Sequence, residues 1–487
     1  MTQDLTRFAQ DMQAALAVNP RDPGALTGMA WLLRQEGRLR DAVLHCDAAL
    51  RADPDYVAAW LERGFVLSSG GSMANALASY RRAAELDPEC ADAHAGLASI
   101  MARDGDSAEA RGHATRALEL DPDNAIAAAA LATLQLETGE TEAAEALLAP
   151  LAPRLEGPSA DRSLVCGLLG DTYARLGRHA QAYAYYVQAK ADFAAINAPR
   201  MGTRESHRAF IERHTAALRS LTMPPPSPPT APIAQSAQNH VFLLGFPRSG
   251  TTLVENVLAS LPSVVALEER PTLADADMAF LAEPGGLERL AALGAAALQL
   301  YRQAYWDKVA QAGIAAPGQC FVDMDPLKGT RLPVIAQLFP KARILVMRRD
   351  PRDVVWSCFH TQFALTNAAL EFTSLERTAR HYAAMMELIE TARECLPLAI
   401  HEVRYEGLVR DFEAETRAMC AFLGLDWSED LRRFDRTAKQ RGVATASAGQ
   451  VRKGLYDGSG QWRPYADHFE PVLPILAPWI EQFGYPA

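Results

Sequence analysis

The chain has 487 residues, enough for two or three domains rather than one. Its composition is that of a soluble globular protein, and its formal net charge of −11 at pH 7 excludes a global positive field for nucleic acid or an anionic membrane. The seven cysteines form no C-x-x-C pair, so neither a zinc site nor a disulfide framework is indicated. The N-terminal residues hold acids and no apolar core, and no apolar run approaches bilayer length. We therefore expect a cytoplasmic chain without membrane contact.

A fixed step of 34 residues organises the first half of the chain. Four columns keep it: Pro20, Pro54, Pro88 and Pro122; Gly37, Gly71, Gly105 and Gly139; Ala42, Ala76, Ala110 and Ala144; Ala30, Gly64, Ala98 and Ala132. Small residues let two paired helices approach closely, the glycine ends the first helix, and the proline breaks the second. The pattern is similar to the tetratricopeptide repeat and predicts an all-α solenoid.

A fifth repeat unit fits after an insertion at residues 151–163, and residues 201–221 are predicted to form a capping helix. The solenoid therefore spans residues 1–221. Its concave groove is predicted to hold an acceptor protein, a peptide or another partner. The alternative is a scaffold that only packs against the second half. The sequence identifies neither the groove residues nor the oligomeric state. Residues 222–239, rich in proline and small polar residues, are predicted to be a stiff linker.

The second half opens with an apolar run at residues 241–244, which predicts a buried strand, and a helical apolar stripe begins after Thr252. Gly245 and Gly250 bracket the turn between them in a Walker A frame, but Thr251 replaces the lysine that reaches nucleotide phosphates. We predict an anion site in which backbone amides and Arg248 hold a phosphate-like group. The sequence disfavours an ATPase or kinase. The alternative is an ordinary glycine turn.

Two more groups of polar residues follow predicted strands. Glu268 and Glu269 come after a strand at residues 264–267, where a carboxylate is placed to act as general base or only forms a solvated acidic turn. A strand at residues 343–347 leads into the sequence R-R-D-P-R-D, which predicts a second anion site at a helix N-terminus. The alternative is that Asp350 and Asp353 neutralise the arginines as ordinary ion pairs. No metal-binding aspartate of the Walker B type follows this strand, so we expect no metal site.

Further strands at residues 320–322 and 398–405 complete an α/β domain with a central parallel sheet over residues 240–487. A glycine-rich loop at residues 441–463 combines basic and aromatic residues. A loop of this length inside a compact domain is typical of a lid or a binding loop.

With these motifs, residues 240–487 resemble PAPS-dependent sulfotransferases, and most of all the protein-tyrosine sulfotransferases and their bacterial repeat-fused relatives. Such enzymes move a sulfuryl group from 3′-phosphoadenosine 5′-phosphosulfate (PAPS) to an acceptor hydroxyl without a metal. The resemblance implies that a loop holds the 5′-phosphosulfate, and it consists of Pro247, Arg248, Ser249, Gly250, Thr251 and Thr252. It implies that Arg349 and Ser357 hold the 3′-phosphate.

The same resemblance implies that Glu269 takes the acceptor's proton, that Arg248 and Ser447 stabilise the transferred group, and that Tyr405 contacts the donor. One position departs from the family, because Met324 stands where a lysine assists the leaving oxygen. Lys328, Arg248 or Ser447 covers that role, or turnover is slow or lost. Two functions follow from these residues: transfer to a protein tyrosine, polysaccharide or metabolite hydroxyl, or an impaired nucleotide-binding scaffold.

Overall fold

The structure is a computed structural model and describes residues 2–104, 107–441, 451–452 and 454–486. The chain divides into two compact units, Met1–Gly202 and Thr203–Ala487. Gly105, a member of the predicted glycine column, lies outside the described residues.

The first unit is built of helices alone in the part that the structure describes. They are α1 (Thr2–Val18), α2 (Pro23–Gln35), α3 (Leu39–Ala52), α4 (Val57–Ser69), α5 (Met73–Leu86), α6 (Ala91–Asp104), α7 (Ser107–Leu120), α8 (Ala125–Thr138), α9 (Thr141–Leu148), α10 (Ala160–Arg175) and α11 (His179–Met201). From α2 onward, consecutive helices pack in pairs, and each pair contacts the next. The solenoid with five repeat units is therefore confirmed, and α1 precedes it.

The periodic small residues have the roles that their spacing predicts. Gly37, Gly71 and Gly139 follow the first helix of their pairs with φ of +76°, +79° and +83°, a left-handed conformation that glycine adopts without strain. A Cβ added at Gly64 would lie 2.4 Å from the ring of Tyr80, which packs between neighbouring helices. The absence of a side chain at Gly64 therefore allows this close approach of the helices, whereas the other three glycines are needed for their backbone conformation.

The helix predicted to cap the solenoid has a different place in the structure. It forms α12 (His207–Ser220), which belongs to the second compact unit and packs there against a long helix, α19, at Leu375–Cys395. His214 and Leu218 of α12 are almost fully buried, so the helix covers apolar surface of the second unit. The sequence showed an amphipathic helix but not which domain its apolar stripe would cover.

The second unit combines one sheet with the remaining helices. The strands are β1 (Asn239–Leu244), β2 (Val264–Glu268), β3 (Cys320–Met324), β4 (Arg343–Arg348) and β5 (Ala399–Arg404). The helices after α12 are α13 (Thr251–Leu258), α14 (Ala274–Phe280), α15 (Gly286–Ala291), α16 (Ala295–Gln311), α17 (Leu332–Leu338), α18 (Pro351–His360), α19, α20 (Tyr405–Arg410), α21 (Phe412–Leu423), α22 (Phe434–Arg441), α23 (Ala466–Phe469) and α24 (Leu473–Gln482).

All five strands pair in parallel in the order β2-β3-β1-β4-β5. The predicted parallel sheet is therefore confirmed, with β1 at its centre. Alternate strand residues such as Val241, Leu243 and Met324 join the core cluster that α13 covers, so their neighbours point to the opposite face. Because the strands are parallel, the loops that follow β1, β2, β3 and β4 emerge at one edge of the sheet, where ligands of open α/β sheets bind.

The predicted linker is held against the second unit instead of crossing open solvent. We call residues 222–238 the strap. Gln337 donates from Nε2 to the Pro224 carbonyl at 2.8 Å, and Arg302 donates from Nη2 to the Ser227 carbonyl at 2.5 Å. Arg302 is 1% exposed, and its described partners are backbone carbonyls, which include those of Leu338 and Gln337. A buried cation that ties the strap to the end of α17 accounts for its ordered path.

We expect Arg302→Met to release the strap. Charge-assisted hydrogen bonds contribute about 1.5–3 kcal/mol each, so losing the contacts to the strap should raise its open population at least about tenfold. Elastase cleavage after Ala234 and Ala237, followed by mass spectrometry of the folded full chain, measures this population. The matched control is Arg289→Met, an exposed arginine of the same unit that also donates to carbonyls. Equal cleavage rates in both variants would contradict the role of Arg302.

Candidate functional site

The turn after β1, residues 245–250, is a tight loop that we call the glycine loop. Its first residue, Gly245, donates to the Pro326 carbonyl at 3.1 Å, and an added Cβ there would lie 2.9 Å from the Met347 carbonyl oxygen. Gly250 at its end has φ of +107° and precedes α13 directly. Only a glycine fits either position, so the sequence fixes a loop that leads into a helix N-terminus, a geometry suited to anions.

Arg248 and Glu269 are the two non-glycine residues with positive φ among those that the structure describes, at 68° and 46°. Residues other than glycine rarely adopt a positive φ, because the Cβ atom makes this backbone conformation strained. Residues strained in this way are concentrated at functional sites. The sequence predicted both residues as functional from their motifs alone. Their backbone conformation is an independent reason to place the site here.

The two anion-binding groups predicted on β1 and β4 lie together. Arg248 donates from Nε to the Ser357 hydroxyl at 3.0 Å, and Arg349 donates from Nη1 to the Arg248 carbonyl at 2.9 Å. Burial lowers the pKa of Arg248, and the positive charge of Arg349 acts in the same direction. Two guanidinium groups held this close favour a ligand with more than one negative charge.

The three arginines of the R-R-D-P-R-D segment differ in whether they have an ion-pair partner. Arg348 pairs with Glu402 at 2.9 Å, and Arg352 pairs with Asp350 at 2.8 Å. Arg349 has no ion pair among the described residues, and its buried Nε has no hydrogen-bond partner there. The predicted alternative, neutralisation by Asp350 or Asp353, therefore holds for Arg352 alone. Arg348 is paired with an acid from another strand, and Arg349 retains a donor for a ligand.

A segment near the C-terminus covers these arginines. Tyr405 donates to the Tyr456 carbonyl at 2.7 Å and accepts from the Gly458 amide at 3.2 Å, while its ring lies 4.8 Å from the Arg349 guanidinium carbon. Arg349 also donates to the Gly458 carbonyl at 2.7 Å. Arg248, Arg349, Tyr405 and Tyr456 line one cavity, and none of the described lining residues is Asp or Glu. Tyr405 and the predicted loop thus join the two arginines in one positively charged cavity.

Glu269 lies at the same edge of the sheet but does not line this cavity. It follows β2, which β3 separates from β1, so two strand spacings of about 4.8 Å put it roughly 10 Å from the end of β1. Its amide donates to the Met324 carbonyl at 2.7 Å. Partial burial of the carboxylate, with Asp325 and Glu268 nearby, raises the pKa of Glu269 to about 7, although the residue as a whole is exposed to solvent. A carboxylate of this kind accepts a proton more readily than an ordinary glutamate.

An ion pair between buried Glu255 and Arg441, which the sequence analysis missed, links α13, α22 and β2. Arg441 donates to Glu255 at 2.7 Å, to Asn256 at 3.2 Å and to the Ala266 carbonyl at 3.0 Å. Glu255 is fully buried, and burial, reinforced by Glu268 and Glu269, raises its pKa to about 7. Glu255 and Asn256 lie off the apolar stripe of the predicted helix, where polar residues are expected, so nothing in the sequence marked them as buried.

Neither Met324 nor the nearby Lys328 places a positive charge at the site. Met324 is fully buried in the core cluster, whereas its neighbour Asp323 points to the other face of β3. Lys328 is buried with Asp323 as its ion-pair partner and lies 3.4 Å from the Thr272 hydroxyl. This arrangement commits the Lys328 ammonium to the opposite face of the sheet, so it does not replace the missing lysine.

The remaining predicted site residues are four residues of the phosphate-binding loop, which the structure describes, and Ser447, which it does not. Thr251 and Thr252 begin α13 and are almost fully buried. Pro247 accepts a contact from the Cys358 thiol at 3.2 Å through its carbonyl, and Ser249 donates from its amide to the Phe246 carbonyl at 3.1 Å. Ser447 lies outside the described residues. Within the described ranges, no group of three or more His, Cys, Asp or Glu residues is placed to hold a metal ion.

Comparison with protein-family models assigns each half of the chain. Residues 240–429 match the model of the sulfotransferase family. Models of the tetratricopeptide repeat match residues 9–57, 27–89, 67–125, 101–161 and 164–190. The chain therefore carries tetratricopeptide repeats followed by a sulfotransferase-family domain. No helix in the described part of the chain is both long and apolar enough to cross a bilayer.

Similar proteins include an uncharacterized protein of Aquifex aeolicus, 30% identical over 48% of this chain and 32% of that protein. Protein-tyrosine sulfotransferase 1 of Danio rerio is 26% identical over 50% of this chain and 72% of that protein. Protein-tyrosine sulfotransferase 2 of Gallus gallus is 27% identical over 50% of this chain and 69% of that protein. The chain spans about a third of the Aquifex relative, and these identities indicate distant relationship to the tyrosine sulfotransferases.

Proposed function

We propose that the second half of this chain transfers a sulfuryl group from PAPS to an acceptor hydroxyl. The observation that supports it most is the cavity shared by Arg248 and Arg349. It holds two cations and no carboxylate among its described lining residues, and one guanidinium nitrogen is buried without a hydrogen-bond partner. Leaving a buried donor unpaired costs about 1–3 kcal/mol, which an anionic ligand would recover on binding.

The donor has two anionic ends that match the two parts of this cluster. We assign its 5′-phosphosulfate to residues 247–252, which lead into and begin α13, and its 3′-phosphate to Arg349 and Ser357. Tyr405 packs on Arg349 and limits its movement. Because Arg248 contacts Ser357 and Arg349 through its side chain and carbonyl, binding at one end is coupled to binding at the other.

In the proposed reaction the donor supplies the sulfuryl group, and the residues of this chain position it and move one proton. The acceptor oxygen forms the new S–O bond, the bond from sulfur to the phosphate oxygen breaks, and the acceptor proton passes to the Glu269 carboxylate. Arg248 stabilises the charge on the transferred group, together with Ser447. Positioning and electrostatics supply most of the acceleration in the related transfer of phosphoryl groups.

A second candidate function is a nucleotide-binding scaffold with little turnover. Met324 and the pairing of Lys328 with Asp323 favour it, because neither residue can assist the leaving oxygen. A transfer assay separates the two candidates: labelled PAPS is incubated with a tyrosine peptide, an oligosaccharide and a phenol. Transfer to any acceptor supports the enzyme. Binding of 3′-phosphoadenosine 5′-phosphate (PAP) without transfer supports the scaffold, and absence of both rejects the shared site.

The tetratricopeptide solenoid of the first unit is proposed to recruit a polypeptide acceptor or another partner to the second unit. The tetratricopeptide matches support this role, as does the likeness to proteins named for sulfation of protein tyrosine. A tyrosine-containing protein should then have a lower KM than tyrosine amide at a similar kcat. Equal KM values for both acceptors would reject the proposal that the solenoid recruits the acceptor.

Transfer should depend on pH through Glu269. A general base must be deprotonated, so with its pKa raised to about 7 activity should fall about tenfold per unit as the pH drops below that value. Arg441→Gln removes the cation that lowers the pKa of Glu255, so Glu255 should stay protonated near pH 7. A neutral Glu255 no longer opposes the ionisation of Glu269, and this limb should move to lower pH. The profile of kcat/KM measures both effects. Arg436→Gln, an exposed arginine on the same helix, is the control and should keep the parent profile.

A further inference from the structure

A second cavity lies at the opposite edge of the sheet, under the strap. It is bounded by the strap, the middle of α16 and the segment that leads into β4, and its volume is about 450 Å³. It borders Asn239 and Arg343, where β1 and β4 begin, whereas the glycine loop follows the end of β1. Its volume falls in the range of about 300–1,000 Å³ that is typical of pockets for small molecules. We call it the strap cavity.

The charged residues that line the strap cavity are all positive. Arg302, Lys341 and Arg343 contribute cations, and none of the described lining residues is Asp or Glu. Arg302 is buried and its described partners are carbonyls, Arg343 donates to the Leu423 carbonyl at 2.5 Å, and Lys341 is exposed without an ion pair among the described residues. In a protein with net charge −11, three cations around one concave surface form a local field that attracts anions.

The rest of the lining is flat and apolar. Trp306 and Phe339 belong to an aromatic cluster around His240, with ring centres 4.9 and 4.8 Å from the histidine ring. Burial lowers the pKa of His240 to about 3, so it stays neutral, and its Nε2 lies 2.7 Å from the Tyr305 hydroxyl. Prolines of the strap, Pro229 and Pro232, form the opposite wall. Aromatic and proline surfaces suit a planar ring.

We propose that the strap cavity binds a small aromatic anion, a ring carrying one carboxylate. The ring would lie between the proline wall and the aromatic cluster, with the carboxylate toward Lys341 and the guanidinium groups. Arg302 also holds the strap through a hydrogen bond to the Ser227 carbonyl. An anion bound between the strap and this cation would therefore favour the closed position of the strap. This site is separate from the cavity of Arg248 and Arg349 and does not depend on transfer activity.

The test uses the full chain and named probes. Binding of indole-3-acetate is measured by calorimetry and by ligand-detected NMR, beside its neutral analogue indole-3-acetamide and the sulfate ester phenyl sulfate. We expect saturable binding of indole-3-acetate at one site, with the amide at least about tenfold weaker. Comparable binding of phenyl sulfate would extend the ligand class to sulfate esters. Failure of indole-3-acetate to bind at about 10 mM, or equal binding of the amide, would overturn the proposal.

Variants locate the binding. Ala237→Phe fills the strap cavity and should abolish binding, whereas Ala234→Phe, on an exposed strap residue that does not line it, should bind as the parent does. Lys341→Gln should weaken binding about three- to tenfold with the fold unchanged, since the residue is exposed, and Lys439→Gln is its control. Arg349→Met should bind the probe normally, which distinguishes this cavity from the proposed donor site. Parent-like binding by both Ala237→Phe and Lys341→Gln would reject the strap cavity.

Discussion

Glu269→Gln should leave PAP binding within about twofold of the parent and lower sulfuryl transfer about 10²–10⁴-fold, the usual contribution of a positioned general base. The amide keeps the shape of the side chain but accepts no proton at neutral pH. The backbone at Glu269 should not change, because its φ of 46° is held by the hydrogen bond of its amide to the Met324 carbonyl. Transfer of label from PAPS and calorimetric titration with PAP measure the two quantities.

Two glutamates serve as controls for this substitution. Glu288→Gln, exposed on α15, should transfer at the parent rate. Glu268→Gln removes a negative charge that raises the pKa of Glu269, so it should lower that pKa and reduce transfer by less than about tenfold. If Glu268→Gln lost more activity than Glu269→Gln, the base would be Glu268. If neither changed transfer, no carboxylate after β2 would be the base.

The parts of this site that could be predicted from the sequence are those whose signals are local. Short apolar runs predicted the first four strands, and residues 398–405 were also predicted as a strand. The parallel pairing of these strands brought Arg248 and Arg349 to one edge of the sheet. The glycines that bracket the loop have a local steric cause, since Gly245 leaves no room for a Cβ and Gly250 has a positive φ. Each of these features depends on a few neighbouring residues.

The parts that could not be predicted depend on contacts between distant residues. Arg441 and Glu255 are 186 positions apart, and nothing near either residue identifies the other as its partner. The strap had the composition of a free linker, but a buried arginine 75 positions after Ser227 holds it. Pairing of polar groups over such distances is decided by the packed fold, which composition does not encode.

The R-R-D-P-R-D segment combines both kinds of feature: its motif could be predicted from the sequence, but its ion pairs could not. The sequence left open whether its aspartates neutralise its arginines. Only the structure shows that Asp350 pairs with Arg352, while Asp353 accepts from the amides of Gly460 and Trp462 at 2.7 and 3.2 Å. The acids of the segment therefore have other partners, and Arg349 stays available to a ligand.

Arg349→Met should weaken PAP binding at least about 30-fold, because truncating one partner of a buried charged contact costs about 2–5 kcal/mol. Arg349→Lys keeps the charge but loses the planar pair of donors, so its affinity should lie between those of the parent and the methionine variant. Arg410→Met, exposed on α20, is the control. Calorimetry at one fixed salt concentration measures all four proteins. A methionine variant within about threefold of the parent would reject the assignment of the 3′-phosphate to this residue.

The same substitution should change the stability of the protein little, and this separates a binding role from a structural one. Arg349→Met loses the hydrogen bonds to the Arg248 and Gly458 carbonyls, which contribute to stability, but it also removes the repulsion between two buried guanidinium groups. Because Arg349 has no carboxylate partner among the described residues, its removal leaves no unpaired acid behind. A large loss of PAP affinity with nearly unchanged thermal unfolding is therefore the result expected of a residue kept for its ligand.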